Sequence, residues 1–472
     1  MTVQTLRAPA RTGQSQRNWV VLAVLLVGQF MCSADVMIVN VAMPSIGRQL
    51  HASGASLQLI VGGYTIAYAM LLITGARLGD RYGRRRMFQT GVTAFTAASL
   101  ACALAPDSQA LIGFRFLQGA GAALLVPQIF SIIQLRFSGP ARARALSAYA
   151  AVLSGGSVAG LVLGGAIVTA NLFGEGWRPV FGINVPFGIA LAILAPHMLP
   201  ADEPRADKPN ADLDLAGLAT AVAAVLLIVM PLVLGQEAGW PVWTFVSMAA
   251  GAATGVLFVR IERRVAARGG SPLLNLDVLH APALPSGLSA LAASQVAYGG
   301  LMFTFTLFLQ AGLGQSALRA GLIYLPMAVT FGLASFSWRR LRAGLHRLLP
   351  PVGLALSGIG YLAIAIAVPH GHGLAPGALA GTVAVGAGMG LAISPLLTQL
   401  LARVLPQRAA DASGLLTTTV QLGQLTGVAI LGSVYFALRQ PAAHAMSGTA
   451  YWLAALSLTS LLAATAAARA AR

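Results

Sequence analysis

The sequence predicts an all-α integral membrane protein of fourteen transmembrane helices with both termini cytoplasmic, and three observations carry that prediction. Hydrophobic residues make up 57% of the chain and charged residues only 9%, whereas a soluble domain carries roughly a quarter. A chain of 472 residues with so little charge cannot clothe a soluble surface, so its outside faces lipid. Apolar runs of the ~20 residues that a bilayer core requires recur fourteen times along it. Finally, 25 of the 30 basic residues fall in segments that are cytoplasmic if the N-terminus is inside; Arg48, Arg178, Arg319 and Arg439 fall on the outer side and Arg115 within a span. That asymmetry sets the orientation and requires an even number of spans. No segment alternates with period two, which argues against a β-barrel.

In chain order, residues 1–18 form a polar tail with Arg7, Arg11 and Arg17, too long and polar for a simple cleaved signal and expected to remain as a cytoplasmic tail. Spans follow at 19–43, 56–78, 86–105, 109–135, 144–170 and 179–199. A polar linker at 200–213 contains Pro204 and Pro209. Spans at 214–234 and 241–260 precede a basic cytoplasmic loop that runs to residue 282. The last six spans are 284–311, 318–338, 349–369, 375–401, 411–438 and 448–468. The basic loop Arg339–Arg347 echoes the basic loop after the second span. This offset predicts two six-helix bundles, 19–199 and 283–472, with the 214–282 pair inserted between them, a repeat plan known in transporters.

The net charge of +17 comes almost wholly from arginine, Lys208 being the sole lysine. Its distribution in short segments between apolar runs makes it a topology signal, and no nucleic-acid partner is expected. Cys32 and Cys102 lie inside apolar runs and read as packing residues; no metal ligand set is visible. The 53 glycines suit close helix packing in lipid.

Chemistry concentrates in the first bundle. Asp35, in Ala34-Asp35-Val36-Met37-Ile38-Val39-Asn40, is the only carboxylate well inside a span. A central acid costs about 2.5–3.5 kcal/mol to insert, so such residues usually serve function; the alternative is a structural acid satisfied by a neighbouring helix. Arg115, in Phe114-Arg115-Phe116-Leu117-Gln118-Gly119, is the matching base. Counting ~1.5 Å per residue from the span ends puts both groups about 9–12 Å below the outer edge of the apolar zone. They can pair directly or through Gln118, or simply specify helix packing.

Between spans two and three lies Gly75-Ala76-Arg77-Leu78-Gly79-Asp80-Arg81-Tyr82-Gly83-Arg84-Arg85-Arg86. Gly83 suits a positive φ, and Asp80 can accept from the free N–H groups of a helix start. In span five Gly156, Gly160 and Gly164 recur every four residues, beside Gly165; the stripe permits close approach of another helix, and static packing explains it equally well.

In order and spacing these motifs resemble the major facilitator superfamily, specifically its fourteen-helix drug:proton antiporters. Trp177-Arg178 with Asn184-Val185-Pro186, Pro272-Leu273-Leu274 and Ala412-Ser413-Gly414-Leu415 also look like that subfamily. The resemblance implies a secondary transporter in the cell's inner membrane that exports amphipathic drugs or toxic small molecules in exchange for protons, working as a monomer without a cofactor. It implies that Asp35 carries the proton, tuned by Arg115 and Gln118. Asp80, Arg81, Gly83 and Arg84 would belong to a cytoplasmic latch that approaches Ser413 and Gly414. Gly156, Gly160, Gly164 and Gly165 would lie at the bundle interface. The chain departs from the pattern at Ala76, in place of a glycine, and at Leu161, in place of the proline that would kink span five.

Substrate contacts are weakly encoded. Gln295, Tyr298 and Phe305 on span nine and Tyr324 on span ten are the pocket candidates, since aromatic surfaces suit promiscuous apolar binding; core packing is the plainer reading of each. His370 and His372 are expected in an outer loop, solvated. No P-loop is present, so direct ATP coupling is not expected, and no catalytic constellation supports an enzyme. A dedicated exporter of one natural product, or a receptor of transporter fold, would carry the same motifs.

Overall fold

The computed structural model describes residues 11–199, 214–270, 272–274, 276–281, 283–368, 375–404, 409–438 and 441–470. The 200–213 linker, His370 and His372 lie outside the described residues. Within them no strand occurs, and the long elements are α1 Arg11–Gln49, α2 Gly54–Tyr82, α3 Arg84–Ala103, α4 Ser108–Arg136 and α5 Gly139–Ala170, followed by α6 Pro179–Met198. Then come α7 Leu215–Ala238, α8 Val242–Ala267, α9 Leu284–Gly312, α10 Ala317–Ser337, α11 Leu349–Ala367, α12 Pro376–Leu401, α13 Ala409–Ala437 and α14 Ala442–Arg469.

Thirteen of these are long and apolar enough to cross a membrane. The fourteenth, α3, has 20 residues and the length to do so. Its leading arginines and its Thr93, Thr96 and Ser99 lower its hydropathy, and Thr96 and Ser99 are buried inside the protein rather than shown to lipid. Helix starts are set by side-chain caps: Ser53 accepts from Ser56 N, Asp107 from Ala110 N, Asp214 from Gly217 N and Ser316 from Arg319 N. Gly83, at φ +100°, separates α2 from α3 in a conformation that a side chain would strain.

The pairings of the first six helices recur eight helices later. Helix α1 packs on α5, α2 and α3 on α4, and α3 on α6; likewise α9 packs on α13, α10 and α11 on α12, and α11 on α14. Across the molecule α2 meets α13 and α5 meets α10, two contacts related by the same offset. These are two six-helix bundles joined along two seams. The outer end of this junction is closed: Gln310 Nε2 donates to Val41 O at 2.8 Å, and Leu318 N donates to Thr169 Oγ1 at 3.0 Å.

The extra pair, α7 and α8, covers one seam from outside. Val229 and Val233 of α7 pack against Ile66, Ala69 and Met70 of α2 and against Leu425 and Ala429 of α13. Ser433 Oγ donates to Leu232 O at 2.8 Å, and Glu237 Oε1 accepts from Ala55 N at 2.7 Å, so α7 is bonded to both bundles. Val242, Phe245 and Val246 of α8 are exposed, as a lipid-facing helix requires.

The glycine stripe of α5 falls differently from expectation. A Cβ on Gly160 would sit 2.4 Å from Ala34 O, and Gly156 and Gly164 likewise abut Ser33 and Ile38, all on α1. The fours-spaced stripe therefore lies inside the first bundle. Gly165 is turned about 100° further round the helix, and it alone of the four faces the other bundle, against Ala317 and Leu318 of α10. Gly160→Ala should push α1 and α5 apart one residue from Asp35, at a cost of about 1–3 kcal/mol. Gly155→Ala, where a Cβ meets nothing within 4 Å, should be neutral. Thermal unfolding in detergent that lowers both midpoints equally would show that the stripe's fit does not matter.

Candidate functional site

Asp35, Arg115 and Gln118 come together in the core of the first bundle, at 0%, 1% and 0% exposure. Arg115 and Gln118 are three apart on α4 and share a face; Asp35 meets them from α1. Arg115 Nη1 donates to Asp35 Oδ2 at 2.6 Å and to Gln118 Oε1 at 2.6 Å. Gln118 Nε2 donates to Asp35 Oδ1 at 2.8 Å and to Ser99 Oγ at 2.6 Å.

Four further partners join them; of these the sequence marked only Asn184, in a family motif and with no role at this site. Asn184 Nδ2, at the break within α6, donates to Asp35 Oδ1 at 2.9 Å. Ser99 of α3 is an acceptor shared by Gln118 and Asn184. From α2, Ile60 O accepts from Arg115 Nε at 3.0 Å, and the guanidinium lies 4.7 Å from the Tyr64 ring centroid. Five helices thus converge on one ion pair. A dry pair of this kind holds together only when the remaining lone pairs and protons also find partners, and here the neutral donors Gln118 and Asn184 supply them. Such a cage can hold a carboxylate, or release it once a proton has neutralised it and weakened its hold on Arg115.

On another face of α1 a cavity of about 30 Å³ lies between the bundles, lined among others by Met37, Asn40, Thr65, Tyr298 and Gln424. That is space for roughly one water rather than a drug-sized molecule, so the pathway is collapsed here. Val36 and Met37, also in its wall, directly follow Asp35, so any movement of α1 at the carboxyl reaches the cavity. Of the four pocket candidates, the structure brings Tyr298 to it. Gln295 instead packs beneath Gly423. Phe305 and Tyr324 are buried edge-to-face at 5.8 Å, with Tyr324 Oη bonded to Thr306. Asn40, whose place in the sequence fits simple packing, also lines it, as does Gln424, for which a polar side chain in mid-span was the available signal.

In the cytoplasmic loop, Arg84 Nη2 donates to Asp80 Oδ1 at 2.8 Å across Gly83, and the Arg81 guanidinium lies over the Tyr82 ring. The glycines before Asp80 serve close packing: Gly75 abuts Ala123 O and Gly79 abuts the Gln128 side chain, both on α4. Gly414 lies near Ile73 of α2; the Ser413 side chain is outside the described residues.

The sequence matches the profile of the Major Facilitator Superfamily over residues 25–428. The chain belongs to this family. It is 38% identical over 425 residues to the probable actinorhodin transporter of Streptomyces coelicolor, covering 89% of this chain and 73% of that protein. It is 34% identical to the cephamycin export protein CmcT of Amycolatopsis lactamdurans, with 91% and 88% covered. Against the drug efflux pump JefA of Mycobacterium tuberculosis the identity is 36%, with 86% and 78% covered. Among solved structures, an inward-facing, unoccupied bacterial homologue of the human lysosomal transporter Spinster matches with a TM-score of 0.67 at 19% identity, covering 98% of each chain. At that identity the likeness speaks for the fold. As a member of the Major Facilitator Superfamily the chain is a multi-pass membrane transporter.

Proposed function

We propose that this transporter exports amphipathic small molecules in exchange for protons, by alternating access between the two bundles. The observation that carries the reading is Asp35, among the described residues the one carboxylate buried in mid-membrane, held by Arg115, Gln118 and Asn184 on the helix that also walls the central cavity. In the proposed cycle a proton from outside neutralises Asp35 and slackens its bond to Arg115. Helix α1 then shifts against the cavity, and the proton leaves to the cytoplasm as the ion pair re-forms. Residues 19–199 and 283–472 are the two moving units, and 214–282 rides on the α2–α13 seam. Asp80, Arg81, Gly83 and Arg84 form the cytoplasmic latch against the start of α13. The unit acts as a monomer.

The named cavity residues include no carboxylate, so neutral or monocationic substrates fit better than dications. One proton moving inward gains about 2.3 kcal/mol per 100 mV, enough for roughly a fifty-fold gradient of a neutral substrate. One-for-one exchange with a monocation moves no net charge. In proteoliposomes, export of a neutral substrate should therefore respond to both voltage and pH gradients, and export of a monocation to the pH gradient alone. Voltage-driven export of a dication would require at least three protons per cycle, hence proton carriers besides Asp35, and would overturn the assignment to Asp35 alone.

A narrower reading is favoured by the names of the actinorhodin and cephamycin relatives, which point to single natural products. A flux panel separates the two: many unrelated substrates for a multidrug pump, one scaffold for a dedicated exporter.

A further inference from the structure

A pair of acids lies far along the chain from Asp35, where the inserted helices reach the cytoplasmic face. Asp214 caps α7, its Oδ1 accepting from Gly217 N at 2.7 Å. Glu262 lies near the end of α8, past its last apolar run and among Arg260, Arg263 and Arg264, yet it is 1% exposed. Its Oε2 accepts from Leu274 N at 2.7 Å and folds the 272–274 loop back onto the helix. The other oxygen of each acid, Asp214 Oδ2 and Glu262 Oε1, is buried and has no donor. Both crowd the same point: a Cβ on Gly217 would lie 2.6 Å from the one and 2.3 Å from the other.

Two ionised carboxylates with orphan oxygens turned together would repel, and each orphan would carry a desolvation cost. One proton between them resolves both faults, since an O–H···O⁻ bond gives each oxygen a partner and is among the stronger hydrogen bonds. The surrounding charges agree. From α2 the group facing Glu262 is Arg77, from α7 it is Asp214, and the loop offers the Leu274 N–H; the arginines of α8 itself are exposed. Among the described side chains, one arginine and a pair sharing one proton sum to zero, whereas two bare carboxylates leave a net negative charge.

We propose that Asp214 and Glu262 form a second protonation site, holding one proton between them and clasping the inserted helices to α2. The clasp is the 272–274 loop: Glu262 takes Leu274 N on one side, and Arg77 Nη2 donates to Pro272 O on the other. With the proton in place the loop is held. When the cytoplasm turns alkaline the proton leaves to water, the two charges repel, and the loop loosens from α2 near Asp80. The site responds to cytoplasmic pH and stands whether or not the transport reading above is right.

The test uses the full chain in nanodiscs with Cys32 and Cys102 replaced by alanine and a nitroxide on Leu276→Cys. Infrared difference spectra follow protonated carboxyl groups as pH rises, and the spin label follows loop mobility. The proposal expects one protonated-carboxyl band to vanish on the alkaline side while the label becomes mobile. In Glu262→Gln the amide donates to Asp214 in place of the proton, so that band should be absent and the label should stay ordered at every pH. Asp214→Asn should do the same by the mirror arrangement, and it provides the test if the first variant does not insert. Asp35→Asn should leave this band untouched. A band indifferent to both Asp214→Asn and Glu262→Gln, or a label that loosens in Glu262→Gln as in the parent, overturns the proposal.

Discussion

Asp35→Asn should yield a protein that inserts, purifies and binds substrate but no longer pumps uphill. Asparagine keeps the shape of the side chain and can still accept from Arg115, yet it cannot carry a proton. Arg115 is not stranded by the change. It retains Gln118 Oε1 at 2.6 Å, Ile60 O at 3.0 Å and the Tyr64 ring face. A neutral group at position 35 is moreover a state that the proposed cycle must pass through, so the fold has to tolerate it. The expected loss is the whole proton-driven component, with accumulation against a gradient falling to that of empty liposomes. Downhill counterflow should persist, because it needs the cavity and the moving bundles but no proton. Flux under an imposed pH gradient decides the matter: uphill export at the parent rate with proton release intact would reduce Asp35 to a structural acid.

The Asp35–Arg115 pairing was legible because charge is so scarce. One acid and one base in mid-membrane, on antiparallel spans, can be matched in depth by counting residues, and the structure places them 2.6 Å apart. Asn184 and Ser99 were not legible in the same way. Neutral polar side chains are cheap enough in a bilayer to occur anywhere, and the turn that aims Asn184 at Asp35 depends on the break in α6 near Ile183. The glycine stripe announced a close approach without naming its partner, since spacing by four fixes a face of α5 but not what covers it; that face meets α1. Phe305 and Tyr324 were ambiguous for a related reason. Aromatic residues on α9 and α10 fit a ligand pocket and a packed seam equally well, and only their distance to each other distinguishes the two. Helix α1 outruns its apolar stretch at both ends because backbone hydrogen bonding continues where hydropathy stops.

Arg115→Leu should be the most destabilising single change in the first bundle, and the double variant Asp35→Asn/Arg115→Leu should recover most of the loss. Removing the guanidinium leaves the Asp35 carboxylate with only the amide donors of Gln118 and Asn184, at 2.8 and 2.9 Å. Breaking one side of a buried pair typically costs about 3–5 kcal/mol, because the surviving charge is left uncompensated in a dry site. Neutralising Asp35 as well removes that charge, and a leucine in the space of the arginine keeps apolar contact with the rings of Tyr64 and Phe181, whose centroids lie 4.7 and 5.8 Å from the guanidinium. The two substitutions should therefore be strongly non-additive, with a coupling of about 2 kcal/mol or more. Thermal midpoints in nanodiscs should rank the parent first, the double variant second and Arg115→Leu last. Recovery of the fold should not bring back pumping, since the double variant has no group left to take up the proton. If the double variant is instead as unstable as the sum of its two parts, the pair is a bystander in the packing, and its place at the meeting of five helices has some other cause.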